Sequence, residues 1–399
     1  MKLTTAGIPS GFDREIVGIV TRAELPLASR VGRIIVTAEL PHDLSGYLGA
    51  MTTSDRRNGY DCPTVHRARE IDHLHSGDIV VMEPASGFVR SLYRPADTHN
   101  SIFVTERCNS NCIMCSQPPK DRDDTAQLYE RNAAMISLIE PLPAYLTITG
   151  GEPTLLGERL CELVTLLRHR MPETNVHILT NGRRFAWPDF TRQFAEISHH
   201  NLSLGIPLYS DLANDHDYVV QAKDAFDQTI MGLQNLGRWN QRIEIRIVLH
   251  ARTVGRLPAL AEFIYRNLTF VEHIAIMGLE NIGYAPRNMA ELWVDPNDYQ
   301  KNLSEAVTIL RQRSMQVSIY NHQLCVLDPF LWQYAKKSIS DWKNIYLEEC
   351  MNCAVRDQCG GFFKWASKLH SAHIRPIVAQ AASGCTKWDV DRVGLGPKR

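Results

Sequence analysis

Two rhythms of apolar and polar residues divide the chain near residue 98. Before that point, short β-branched runs (Ile16–Val20, Arg33–Ala38, Asp78–Met82, Gly87–Tyr93) are separated by Pro, Gly and Asp turns. Such spacing predicts a β-rich module, residues 1–97, that serves as a structural cap or as a small barrel docking a partner. From Ser101 strand-like runs alternate with helical patterns. The strands are Ile102–Thr105, Tyr145–Thr149, Val176–Thr180, Leu202–Pro207, Ile243–Leu249 and His273–Met277. Between them, helices are expected near Thr125–Ile139, Glu158–Arg170, Pro188–Ile197, Lys223–Leu236 and Arg256–Arg266. The repeated strand–helix unit implies right-handed crossovers and a parallel sheet. Six units predict an α/β domain over 98–294, a partial (β/α)6 TIM-like barrel. Its chemistry should lie at the C-terminal ends of the strands.

A third region, 295–399, opens with a helix (Pro296–Arg313) and a short strand (Gln316–Tyr320), then becomes a small Cys-rich C-terminal domain. Lys and Arg (43) nearly cancel Asp and Glu (44), so no basic surplus points to nucleic acid and no acidic tail to disorder. No secretory signal pattern opens the chain, and no run approaches the roughly 18 apolar residues of a membrane span. A cytoplasmic protein without a membrane partner is expected. In that reducing compartment ten cysteines point to metal or catalytic chemistry before disulfides.

Cys108, Cys112 and Cys115 form a C-x3-C-x2-C loop directly after the first barrel strand. Structural zinc sites combine a close pair with a second, distant pair. Three thiolates on one loop instead suit three corners of a [4Fe–4S] cube and leave one iron open to an exogenous ligand. Buried or zinc-bound cysteines are the competing reading. One strand later stands Gly150-Gly151-Glu152-Pro153. Two glycines permit close backbone approach to a ligand, Glu152 can accept from an ammonium group, and Pro153 stops the strand. A plain Gly-Pro turn is the alternative. Thr180 and Asn181 end the third strand, and Ser210 follows the fourth with His216 and Asp217, which could equally form a solvated loop or helix cap. Arg246 lies between Ile245 and Ile247, where a guanidinium needs an anion, either a ligand carboxylate or a structural partner. Leu279 follows the sixth strand.

Cys350, Cys353 and Cys359 give C-x2-C-x5-C, with Cys325 upstream and Cys385 downstream. Four thiolates would close a second cluster without an open iron. Cys325, Cys350, Cys353 and Cys359 are the expected ligands, with Cys385 in place of Cys325 as the alternative. A zinc knuckle on the same residues competes. Cys62 and Cys161 stand alone, and Cys161 belongs to an apolar helix face with Leu160, Leu163, Val164 and Leu167.

The cysteine loop and the GGEP segment together resemble the radical S-adenosylmethionine (SAM) superfamily over about residues 100–300. The resemblance implies that the open iron binds SAM, whose cleavage yields a 5′-deoxyadenosyl radical that abstracts substrate hydrogen. It implies that Gly150, Gly151, Glu152 and Pro153 clamp the cofactor's amine. Thr180, Asn181, Ser210, Arg246 and Leu279 would line the rest of it. Met114 stands where the family often has an aromatic residue. The C-terminal cysteines resemble the auxiliary-cluster (SPASM and "twitch") regions, and Phe363 replaces a further Cys, so one auxiliary [4Fe–4S] cluster is implied. His99-Asn100-Ser101, the segment 107–119, Tyr320–Cys325, Ser338–Asn344 and Cys359–Phe363 resemble the His-Xaa-Ser system radical SAM maturases, type C. That likeness implies a peptide or small-protein substrate with His-Xaa-Ser repeats, a second radical SAM maturase as partner, and an electron donor such as flavodoxin or ferredoxin. A radical SAM enzyme of small-molecule cofactor biosynthesis is the alternative. A non-catalytic zinc-binding interaction protein is the alternative of another class.

Overall fold

The computed structural model describes residues 3–55, 62–337, 345–367 and 369–378. Eight short strands make the first sheet: β1 (Thr4–Ala6), β2 (Ile8–Ser10), β3 (Ile16–Thr21), β4 (Arg33–Thr37), β5 (Gly49–Thr52), β6 (Thr64–His66), β7 (Ile79–Met82) and β8 (Phe88–Tyr93). Their order, β1-β8-β7-β3-β4-β5-β6-β2, puts β1 and β2 at opposite ends. Only Gly7 separates those two in sequence, so one bent strand closes the sheet on itself. The bend requires glycine, because a Cβ there would lie 2.3 Å from the His66 carbonyl oxygen. Closure removes the free edges that an open sheet exposes. Val20, Ile34, Val36, Met51, Val80 and Met82 fill the interior.

The second sheet is parallel and runs in chain order: β9 (Asn100–Phe103), β10 (Tyr145–Thr149), β11 (Asn175–Leu179), β12 (Leu202–Pro207), β13 (Arg242–Leu249), β14 (His273–Gly278), β15 (Gln316–Tyr320) and β16 (Ala335–Lys336). Helices α1 (Thr125–Leu138), α2 (Glu158–Arg170), α3 (Pro188–Glu196), α4 (Ala213–Val220), α5 (Ala225–Arg238), α6 (Ala251–Val254), α7 (Leu257–Asn267), α8 (Met289–Leu292) and α9 (Gln300–Gln312) lie between the strands. Most strands and long helices fall within a few residues of their predicted positions. On α2 the apolar stripe Leu160, Leu163, Val164 and Leu167 is buried. Each such side chain contributes about 1.5–3 kcal/mol of transfer free energy.

Six strands were expected, and the sheet has eight. β15 pairs in parallel with β14 and β16 with β15, so the sheet runs on past residue 295. The helix and strand expected at Pro296–Arg313 and Gln316–Tyr320 are present as α9 and β15, but they extend the parallel sheet; the short helical turns between β14 and α9 interrupt the strand–helix rhythm that would have joined them to it. The sheet stays open, with β9 and β16 at its ends. Arg131 of α1, nearly buried, pairs with Glu15 and lies 3.6 Å from Glu83, which locks the N-terminal barrel against the first helix. Among the described residues no helix is long and apolar enough to cross a membrane.

Candidate functional site

The site forms where the parallel strands end. After β9, Thr105 Oγ1 donates to Asp124 at 2.7 Å and the Glu106 amide to the other Asp124 oxygen at 2.9 Å, tying the outgoing chain to the start of α1. The cysteine loop then lies against the end of α4, through Asn111 N–H to Val220 O at 2.9 Å and Ile113 N–H to Val219 O at 3.0 Å. Asn288 donates to Ile113 O at 2.6 Å, and Tyr284 N–H to Cys115 O at 2.9 Å. Gly283, with φ of 64°, permits that last approach, since a Cβ would meet Cys115 O at 2.1 Å. Arg183 holds the loop from a third side through Asn109 O and the Ser110 hydroxyl. Met114 is buried with Ile113, Tyr209 and Val219.

Gly150 and Gly151 act on this loop. Gly151 N–H donates to Thr105 O at 2.7 Å and Glu152 N–H to Arg107 O at 2.8 Å. A Cβ on Gly150 would lie 2.6 Å from Thr105 O, and one on Gly151 2.0 Å from Arg107 O. The expected close approach exists, but its partner is the cysteine loop's own backbone. Glu152 also departs from expectation. It is fully buried and accepts from Thr154 N–H (2.9 Å), Thr154 Oγ1 (2.7 Å), Thr180 Oγ1 (2.6 Å) and Asn181 N–H (2.6 Å). Oε1 takes three of these bonds and Oε2 one, so the carboxylate ties the β10 rim to the β11 rim. Burial pushes its pKa up while these donors oppose the shift. Pro153, buried at the start of a 3-10 turn, also lies off the cavity.

The cavity holds roughly 1130 Å³, part of it open to solvent, and the three loop cysteines line it together. Gly150, Gly151, Thr180, Asn181, Arg246 and Leu279 line it too. Burial pushes the Cys108 thiol up to about 12 and raises Cys112 and Cys115 as well. A thiolate in this setting needs a cationic partner, and an iron centre supplies one. The donor set, its shared cavity and the pinned loop therefore fit a cluster carrying a small ligand. Among the described residues no three His, Cys, Asp or Glu side chains converge as for one ion.

Other expected contacts are redistributed. Ser210 is buried and accepts from Leu212 N–H at 3.1 Å in a local turn before α4, next to Tyr209 of the cavity wall. His216 is buried and neutral, its pKa lowered to about 4 by desolvation, and accepts from Tyr209 N–H at 3.3 Å. Asp217 accepts from Phe226 N–H at 2.7 Å, so neither residue belongs to a solvated loop. Arg246 combines both expected readings. It pairs with Glu244 at 2.7 Å and still lines the cavity.

Cys325, Cys350, Cys353 and Cys359 line a second, smaller cavity of about 290 Å³. Backbone amides point at its sulfurs: Leu324 and Gly361 N–H reach Cys359 Sγ at 3.4 and 3.5 Å, and Ile377 N–H reaches Cys353 Sγ at 3.4 Å. Such donors stabilise thiolate character and tune clusters. Phe363 stacks on Trp365 at 5.2 Å. Cys385 and the segment 338–344 lie outside the described residues. A third cavity, about 640 Å³, shares Gly278, Leu279 and Asn321 with the first and Gln323 with the second. Asn321, at a φ of 60°, was missed by the sequence reading, as were Gly283, Asp124 and Glu244.

Residues 102–264, less than half of the chain, match the model of the Radical SAM superfamily. No curated protein matches the chain. Among solved structures it is similar to Streptococcus suis SuiB bound to S-adenosylmethionine (14% identity, 56% of this chain, 50% of that one, TM-score 0.44). It is similar also to anSMEcpe with bound AdoMet (17%, 55%, 60%, 0.43). A third is the radical SAM enzyme coproporphyrinogen III oxidase HemN from Escherichia coli (15%, 53%, 52%, 0.42). The chain spans about half the length of these proteins.

Proposed function

We propose that this chain is a radical SAM enzyme that modifies a peptide or small protein. Cys108, Cys112 and Cys115 would hold the SAM-binding [4Fe–4S] cluster. Cys325, Cys350, Cys353 and Cys359 would hold one auxiliary cluster. The observation that carries the reading is the single cavity at the strand ends, lined at once by the three loop thiols, the two rim glycines and Arg246. When bound, the cluster and SAM supply a 5′-deoxyadenosyl radical for hydrogen abstraction.

The chain's own residues do the rest. Gly150 and Gly151 let the loop sit on the strand end, and Glu152 fastens the adjoining rim. Thr180, Asn181 and Leu279 face the cofactor, and Arg246 offers its charge to a carboxylate. Met114, Leu179, Val248 and Leu279 give the cavity an apolar wall that limits water. The cavity between the two thiol sites offers space for substrate next to both. A substrate bearing His-Xaa-Ser repeats, a second maturase, and a flavodoxin or ferredoxin as donor complete the proposal. The nine free thiols among the described residues suit a reducing cytoplasm.

Anaerobic purification with metal analysis and a SAM cleavage assay test this. Brown protein with about eight irons, forming 5′-deoxyadenosine, is expected. Cleavage should be lost in Cys112→Ala. Colourless protein containing zinc would instead support the interaction-protein alternative, and cleavage surviving in Cys112→Ala would end the cluster assignment.

A further inference from the structure

Below the cavity floor the inner faces of five strands carry a connected polar layer that the sequence reading did not single out. Strand alternation places Glu244 one step beneath Arg246 on β13, His177 beneath Leu179 on β11, and Ser203 beneath Gly205 on β12. His273 stands directly opposite Glu244 in the β13–β14 register, and β15 contributes Ser318. Glu244 is the hub. Its Oε1 accepts from Arg246 Nη1 at 2.7 Å and lies 3.6 Å from His177 Nε2, while its Oε2 meets His273 Nδ1 at 2.8 Å. The far nitrogens of both imidazoles are held in turn, His177 Nδ1 by Ser203 Oγ at 2.8 Å and His273 Nε2 by Ser318 Oγ at 2.9 Å. A carboxylate can only accept, so the network assigns Nδ1–H to His273, whose Nε2 hydrogen-bonds the Ser318 hydroxyl.

This layer has a direction. Glu244 engages Nη1 of Arg246, and among the described residues the other recorded contact of that guanidinium is Nη2 with Met277 Sδ at 3.2 Å, a weak acceptor. The guanidinium therefore presents donors to the cavity without a strong partner there. Gly205 makes the arrangement possible, since a Cβ on it would lie 2.7 Å from His177 Nε2 and 2.9 Å from Arg246 Cδ. Glu244 is held mostly ionised by its histidine and arginine neighbours against burial. A pair used for stability alone would not need five strands to fix one carboxylate, nor leave half of its cation turned to a cavity.

We propose that Glu244, braced by His273 and His177, is the positioning residue that aims Arg246 into the cavity as receptor for the carboxylate of the cofactor's methionine. The inference rests on the radical SAM reading above and deepens it. A guanidinium anchored at one nitrogen keeps its planar fork oriented for a second, charge-assisted contact.

Equilibrium binding under anaerobic conditions tests it with two probes, SAM and decarboxylated SAM, on the cluster-loaded protein. Arg246→Ala and Glu244→Gln should each weaken SAM binding about ten-fold or more, roughly 1.4 kcal/mol per decade, and change decarboxylated SAM less than two-fold. In the Arg246→Ala background Glu244→Gln should add nothing, because its effect passes through Arg246. Iron content should stay at the wild-type value. Should Glu244→Gln misfold, Ser318→Ala, which frees only the outer end of His273, should still loosen SAM binding two- to five-fold with the same selectivity. Equal losses for both probes, or full additivity of the two substitutions, overturns the proposal. Wild-type protein that carries its cluster yet binds neither probe overturns the radical SAM reading itself.

Discussion

Gly151→Ala inserts one methyl group into the narrowest contact of the site. The added Cβ would stand 2.0 Å from Arg107 O, 2.5 Å from Arg107 C and 3.0 Å from Glu106 O. All three are backbone atoms, so no side-chain rotation relieves the clash. Ordinary contact begins near 3.4 Å, so strand end and cysteine loop must separate by about 1.4 Å. That movement breaks Gly151 N–H to Thr105 O and Glu152 N–H to Arg107 O, both shorter than 2.9 Å. Two backbone hydrogen bonds are worth about 1 kcal/mol each net, and groups left unpaired add about 1–3 kcal/mol. A loss of about 3–5 kcal/mol corresponds to a melting shift of roughly 5–10 °C in a domain of this size. Because Arg107 immediately precedes Cys108, the same displacement should spread the three sulfurs and cut iron incorporation. Gly255→Ala is the internal control, since nothing lies within 4 Å of its added Cβ. Scanning fluorimetry and iron analysis on both variants, purified side by side without oxygen, make the measurement. Wild-type melting and iron content in Gly151→Ala would show that the loop does not depend on this contact.

Three further outcomes follow from the structure. Cys353→Ser, in the second thiol site, should remove about half of the bound iron, the share of one of two four-iron clusters, while SAM binding persists. Unchanged iron would dissociate this cavity from metal. Arg131→Met removes the cation between Glu15 and Glu83 and should cost about 1–3 kcal/mol, since the half-buried Glu15 loses its charge-assisted hydrogen bonds. Limited proteolysis should then cut within residues 1–97 first, and an unaltered digestion pattern would refute the docking role. His216 and His322 are buried with pKa values lowered to about 4 by desolvation. The unfolded chain takes up those protons near pH 6.5 and the folded protein only near 4. Their contribution, up to about 3 kcal/mol each, is therefore complete above pH 6.5 and lost as pH falls towards 4. A urea midpoint that stays level from pH 7 to 5 would contradict this.

The strand–helix alternation, the two cysteine groups and the GGEP segment were legible from spacing alone, because periodicity and local chelation are properties of neighbouring residues. Glu152 shows where that legibility stops. Its sequence setting suits a ligand acceptor, yet Thr180 and Asn181, some 28 residues on, take up its oxygens once β10 and β11 pair. Ser210 likewise engages its hydroxyl in a local turn that its sequence setting does not show. The strand Gln316–Tyr320 was legible but was set in a separate region, and only register with β14 shows that it continues the sheet as β15.

Local chemistry thus determined which residues could hold metal and which segments would be strands. Tertiary structure alone decided what each side chain spends its hydrogen bonds on. Glu244, two residues from an arginine that drew notice, gained its meaning from His177 and His273, which reach it from strands 67 residues before and 29 residues after. Pairings across that distance leave no periodic trace in a sequence. They arise when parallel strands in register bring inward-facing positions into one layer, where a buried charge must find partners or not be buried at all.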